Sequence, residues 1–87
     1  MSIVRDRIFI KQMKKLPAPL RRQVRDRVQL LVENSANPLL NDHKLGPPYA
    51  SFRSINTTGD WRLVYKHIEA DTYYLRAVGT HHQLYGT

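Results

Sequence analysis

The sequence predicts an α+β domain: a short N-terminal strand, a two-helix hairpin, then an antiparallel meander of three strands. Two observations carry the prediction. Apolar residues recur every three or four positions as far as Leu31, and every second position after Tyr49. Between the two regimes lies a stretch of turn-forming residues, Asn37-Pro38, Asn41-Asp42 and Gly46-Pro47-Pro48. With 87 residues, the chain has room for a single domain, 1–87, with a small core.

Residues 2–5 read as the first strand. Asp6 is placed to cap the following helix, since a short carboxylate accepts hydrogen bonds from unpaired first-turn amides. Phe9, Met13 and Leu16 then form an apolar stripe at spacings of four and three. Pro17 and Pro19 end that helix, because proline lacks an amide proton and disfavours α geometry in the residue before it. Leu20, Val24, Val28 and Leu31 make a second stripe, which should end near Asn34. Residues 35–48 read as loop. Residues 50–56, 61–68 and 72–80 read as strands, joined by Thr57-Thr58-Gly59-Asp60 and by Glu69-Ala70-Asp71.

Alternation assigns the strand faces. Leu63 and Tyr65 oppose Arg62, Val64 and Lys66, while Tyr73, Leu75 and Ala77 oppose Tyr74 and Arg76. With Phe52 on the helix side, Arg53 joins Arg62 and Arg76 on the other face. Three arginines there would repel one another unless an anion lay between them, which suggests phosphate; three scattered, solvated arginines are the alternative.

Charge and composition narrow the function. Fourteen Lys and Arg against seven Asp and Glu leave +7. All of the excess lies in residues 1–28, where nine bases face only Asp6 and Asp26. Such a field draws polyanions and acidic partners, although a solvated helical surface has the same composition. The absence of cysteine excludes disulfides and thiolate metal sites. No apolar run is longer than that of Leu30-Leu31-Val32, far below the roughly 20 residues of a membrane span, and the N-terminus lacks the apolar centre of a signal peptide. The expected setting is the cytoplasm, with no membrane contact.

Imidazole is suited to proton transfer near neutral pH. Of the four histidines, His43 precedes the meander and His81 follows it, so both fall at a rim of one surface. His67 reads as packing, and adjacent His81 and His82 are badly spaced for one zinc-chelating face, so no metal or other cofactor is expected. Asp60 and Trp61 open the central strand, and Tyr85 lies near the C-terminus. Two imidazoles, a carboxylate, arginines and aromatic rings are what metal-free RNA cleavage requires. One group removes the 2′-hydroxyl proton, another protonates the 5′ leaving oxygen, cations stabilise the phosphorane and rings hold unstacked bases.

The sharpest strings are His43-Lys44-Leu45, Phe52-Arg53-Ser54, Gly59-Asp60-Trp61-Arg62-Leu63-Val64-Tyr65-Lys66, Gly79-Thr80-His81 and Leu84-Tyr85-Gly86. In these the chain resembles the RelE/ParE superfamily of bacterial toxin–antitoxin modules, and within it the YafQ-type endoribonucleases. The resemblance implies the helical hairpin packed on a twisted, mainly antiparallel RelE-like sheet, and messenger RNA cleaved on the exposed concave face, with the ribosome. It places the active site on His43, Asp60, Trp61, His81 and Tyr85, and matches Arg62 to an arginine used against the scissile phosphate. In this scheme His81 is the general acid and His43 or Asp60 is the base or orients it. Arg62, with Arg53 as second choice, meets developing charge, while Trp61 and Tyr85 hold bases. Arg76 is a further RNA contact on the same face. The family has a histidine where this chain has Asn56; asparagine hydrogen-bonds a phosphate or base but transfers no proton at neutral pH. The implied partner is a cognate acidic or amphipathic antitoxin, in a toxin–antitoxin hetero-oligomer, wrapping the basic helices or covering the concave face. Two other readings compete. A ParE-like inhibitor of DNA gyrase needs no set such as His43, Asp60 and His81, and a basic RNA- or protein-binding module would bind without strand scission.

Overall fold

The computed structural model describes residues 2–86. In chain order the elements are β1 (Ser2–Arg5), α1 (Arg7–Lys14), α2 (Ala18–Glu33), a 3₁₀ turn (Pro38–Leu40), β2 (His43–Lys44), β3 (Arg53–Thr58), β4 (Trp61–Glu69), β5 (Thr72–Thr80) and α3 (His81–Tyr85). The strands form one sheet in the order β1-β5-β4-β3-β2, antiparallel except for the β1–β5 pair. The α+β architecture and the three-strand meander are as the sequence predicts. Two elements are additions: His43–Lys44, expected as loop, is an edge strand, and His81–Tyr85 form a helix.

Local chemistry explains the helices. The Asp6 carboxylate accepts from the Ile8 amide at 2.8 Å and caps α1. Pro17 is the N-cap of α2 and Pro19 lies in its first turn, where the missing amide proton costs nothing. Phe9, Leu16, Val24, Val28 and Leu31 are buried against Ile55, Leu63, Tyr65, Leu75 and Val78, with Met13 and Leu20 partly buried beside them. Both predicted stripes therefore face the sheet.

The predicted faces need two corrections. A bulge sets Val64 opposite Ala77 and Tyr65 opposite Leu75, leaving Arg76 unmatched. Beyond it the alternation changes phase. Val78 joins the helix-side core, whereas Ala77, expected beside Leu75, is buried on the opposite, open face with Val64. Arg53 also changes sides, since its partner in the ladder is Tyr65. Phe52 takes the open face instead, where Tyr49 and Tyr74 give it aromatic neighbours and Lys66 Nζ lies 4.8 Å from its ring centroid.

Candidate functional site

The open face is assembled from three pieces of chain. The β3–β4 turn supplies Asp60 and Arg62. Gly59 adopts φ +50° there, a backbone state that side-chain-bearing residues rarely enter. Arg62 pairs with Asn56 on one side and Gly79 on the other, and its Nη1 donates to the carbonyls of Gly59 (2.9 Å) and Trp61 (3.0 Å).

The second piece is Gly79-Thr80-His81. A Cβ on Gly79 would come within 3.0 Å of Gln83 Oε1 and 3.4 Å of Leu84 Cδ2, so glycine lets α3 fold back over the strand it leaves. Thr80 and Gln83 cap the helix reciprocally: Gln83 N donates to Thr80 Oγ1 at 3.1 Å, and Thr80 N to Gln83 Oε1 at 2.9 Å. His81 begins α3, and its amide donates to the Asp60 carbonyl at 3.0 Å, which ties the helix to the β3–β4 turn.

The third piece is β2, where His43 pairs with Ser54 on the face that also carries Val64. Tyr85 joins the pieces. Its hydroxyl donates to Ser54 Oγ at 3.0 Å, and its ring meets the His81 ring edge-on at 4.8 Å between centroids. Burial, above all, raises the Tyr85 phenol above its ordinary value. His43 and His81, both exposed, thus share one face with Arg62, Asn56 and Tyr85. A line of rings continues from Tyr85 through Tyr49 and Phe52 to Tyr74.

Other expected site residues have different surroundings. Trp61 shares the helix-side parity of Leu63 and packs against the core. Arg53 Nε donates to Asp42 Oδ1 at 2.8 Å, and the other oxygen of Asp42 accepts from the Tyr65 hydroxyl at 2.6 Å. Arg76 reaches Asp6 at 3.5 Å, and the same carboxylate accepts from the Tyr74 hydroxyl. Two of the three arginines expected to need an anion are therefore neutralised by the protein, and that argument for phosphate falls to Arg62 alone. The Asn56 side-chain oxygen is buried without a protein hydrogen-bond partner. His67, expected to pack, is exposed yet lies 4.4 Å from the Tyr73 ring. Among the described residues no group of three or more His, Cys, Asp or Glu is placed to hold a metal ion, and no helix is long and apolar enough to cross a membrane. Asp42, Ser54 and Tyr49 were not anticipated; the one signal available was the position of Asp42 beside His43.

No protein-family model matches the chain, and no curated protein matches it in sequence. Solved structures do. YafQ from E. coli strain BL21(DE3) is 24% identical, with a TM-score of 0.78 and 97% of each chain covered. The YoeB/ParE toxin from Agrobacterium tumefaciens is 15% identical, with a TM-score of 0.78 over 93% of this chain and 99% of its own. The chain has the RelE/YafQ-like toxin fold. The same fold is seen bound to another protein in the E. coli DinJ-YafQ complex, whose match is 23% identical with a TM-score of 0.75 over 97% of each chain. Within this YafQ-like fold, α3 and the β3–β4 turn form one end of the open face, and the helical hairpin lies behind it.

Proposed function

We propose that the protein is the toxin of a type II toxin–antitoxin pair, an endoribonuclease that cuts messenger RNA on the ribosome without a metal ion. The observation that carries this reading is the convergence of His43, Arg62 and His81 on one exposed face around Tyr85. In the reaction a base removes the ribose 2′-hydroxyl proton, and the 2′-oxygen bonds to the adjacent phosphorus. The P–O5′ bond breaks and His81 protonates the leaving oxygen. Arg62 offsets charge on the phosphorane, while Asp60, at the turn beside it, serves as base or orients one. Tyr85 offers a ring for an unstacked base; Trp61, packed against the core, supports the turn from behind.

The partner is an acidic, amphipathic antitoxin. A groove of about 590 Å³ between β1, α1 and α2 is lined by apolar residues that include Ile3, Phe9 and Met13 and by basic residues that include Arg5, Lys14 and Arg25. An apolar helix face fits the first set, and flanking carboxylates fit the second.

The test is mapping of messenger 5′ ends after brief induction. His81→Ala lowers cleavage by about 10²–10⁴-fold if the imidazole transfers a proton. A loss under tenfold in a folded variant removes that role. Salt-sensitive RNA binding without scission by the wild type would make the protein a binding module, and inhibited supercoiling would make it a gyrase poison.

A further inference from the structure

The loop that delivers His43 is fixed at both ends of a three-residue unit. Asn41 adopts a left-handed conformation, φ 46° and ψ 45°. Its carbonyl lies 2.7 Å from His43 Nδ1. A carbonyl oxygen has no proton to give, so Nδ1 carries the hydrogen. In the neutral imidazole the proton-accepting nitrogen is then Nε2, the reverse of the form free histidine prefers. Between the two residues, the Asp42 carboxylate is spanned by Arg53 Nε at 2.8 Å and the Tyr65 hydroxyl at 2.6 Å. Tyr65 is fully buried. Burial first, and the Asp42 hydrogen bond second, push its phenol up, so it remains a donor.

We propose that Asp42 is a positioning residue: anchored by Arg53 and Tyr65, it fixes the Asn41–His43 turn so that His43 is held in the Nδ1–H form with Nε2 as proton acceptor. The use of that acceptor rests on the ribonuclease reading above, in which the 2′-hydroxyl proton passes to Nε2 while His81 protonates the departing 5′-oxygen. It also chooses between the two bases considered. The Asp60 side chain is exposed and has no hydrogen bond or ion pair among the described residues, whereas His43 presents one defined lone pair.

The decisive measurement needs no activity. A long-range ¹H–¹⁵N correlation spectrum is recorded on the ¹⁵N-labelled full chain at about pH 8.5, where imidazole is neutral. His43 is assigned from its absence in His43→Gln. The expected result is a protonated Nδ1 and an unprotonated Nε2; the Nε2–H form overturns the proposal. Tyr65→Phe, nearly isosteric, and Asp42→Asn each weaken the anchor, and His43 should then show both forms. A folded variant that keeps pure Nδ1–H removes Asp42 from the role; Tyr65→Phe decides the point should Asp42→Asn not fold. In cleavage assays Asp42→Asn lowers kcat about tenfold to hundredfold with KM unchanged, and adds nothing in a His43→Ala background. An Asp42→Asn loss that persists in that background also overturns the proposal. A wild type that cuts no RNA but shows the Nδ1–H form refutes the proposed function and leaves this inference standing.

Discussion

Opposite edges of the sheet carry the same three side-chain types in two settings. At the β2–β3 edge, Asp42 holds Tyr65 and Arg53; at the β1–β5 edge, Asp6 holds Tyr74 and Arg76. Tyr65 is fully buried, and the Arg53–Asp42 contact is 2.8 Å. Tyr74 is half-buried, and the Arg76–Asp6 contact is 3.5 Å. The difference teaches what each cluster does. A buried hydroxyl left unpaired carries its full desolvation cost, so the Asp42 cluster is an anchor. Solvent competes more for the half-buried cluster, and Asp6 there also caps α1.

Hydroxyl deletion is the sharpest way to break the comparison. Tyr65→Phe leaves one Asp42 oxygen short of a donor and should cost about 1–3 kcal/mol in urea unfolding. Tyr74→Phe should cost less, and equal losses would mean that burial does not distinguish the edges. Next in size is the response to pH. The Asp6 carboxyl is held below its usual value by the Tyr74 hydrogen bond first, then by the Ile8 amide. Its contribution is present above the unfolded value of about 3.9 and is lost as pH falls through the folded one. Acid unfolding below about pH 4 should therefore be blunted in Asp6→Asn. Tyr65 works the other way: with its phenol raised, its contribution is full below about pH 10 and declines as pH rises further. Alkaline unfolding should lose this component in Tyr65→Phe. The smallest effect is that of salt. Near 0.5 M, where the screening length falls to about 4 Å, a double-mutant cycle should show the Asp6–Arg76 coupling reduced and the Asp42–Arg53 coupling largely kept.

The helical half was readable because one face of each helix repeats at a constant period: Phe9, Leu16, Val24 and Leu31 are all buried where their spacing puts them. The strands were readable as elements but not as faces. Alternation assumes an unbroken phase, and the bulge at Arg76 shifts that phase for Ala77 and Val78. Phe52 misled the assignment for a different reason, since an aromatic ring can be covered by other rings on the face away from the helical hairpin as well as by the hairpin. For the site, histidine chemistry pointed to His43 and His81; the register puts His43 on the open face, and α3 sets His81 beside Tyr85 there. The hydrogen bonds of Asp42 and Ser54 join residues far apart in sequence, which no local pattern encodes.

The bulge in β5 also makes the strand behave as two segments spliced out of step. Thr72–Leu75 pairs with β1, and beyond the bulge Val78 returns to the helix-side core while Gly79 lies under α3. Loss of Arg76 alone would restore even alternation with every other partner kept: Ala77 would stay opposite Val64, Val78 opposite Leu63 and Gly79 opposite Arg62. The clearance that seats α3 would survive, and only the ion pair to Asp6 would go. A one-codon deletion thus separates the edge cluster from the surface that carries the two outermost imidazoles.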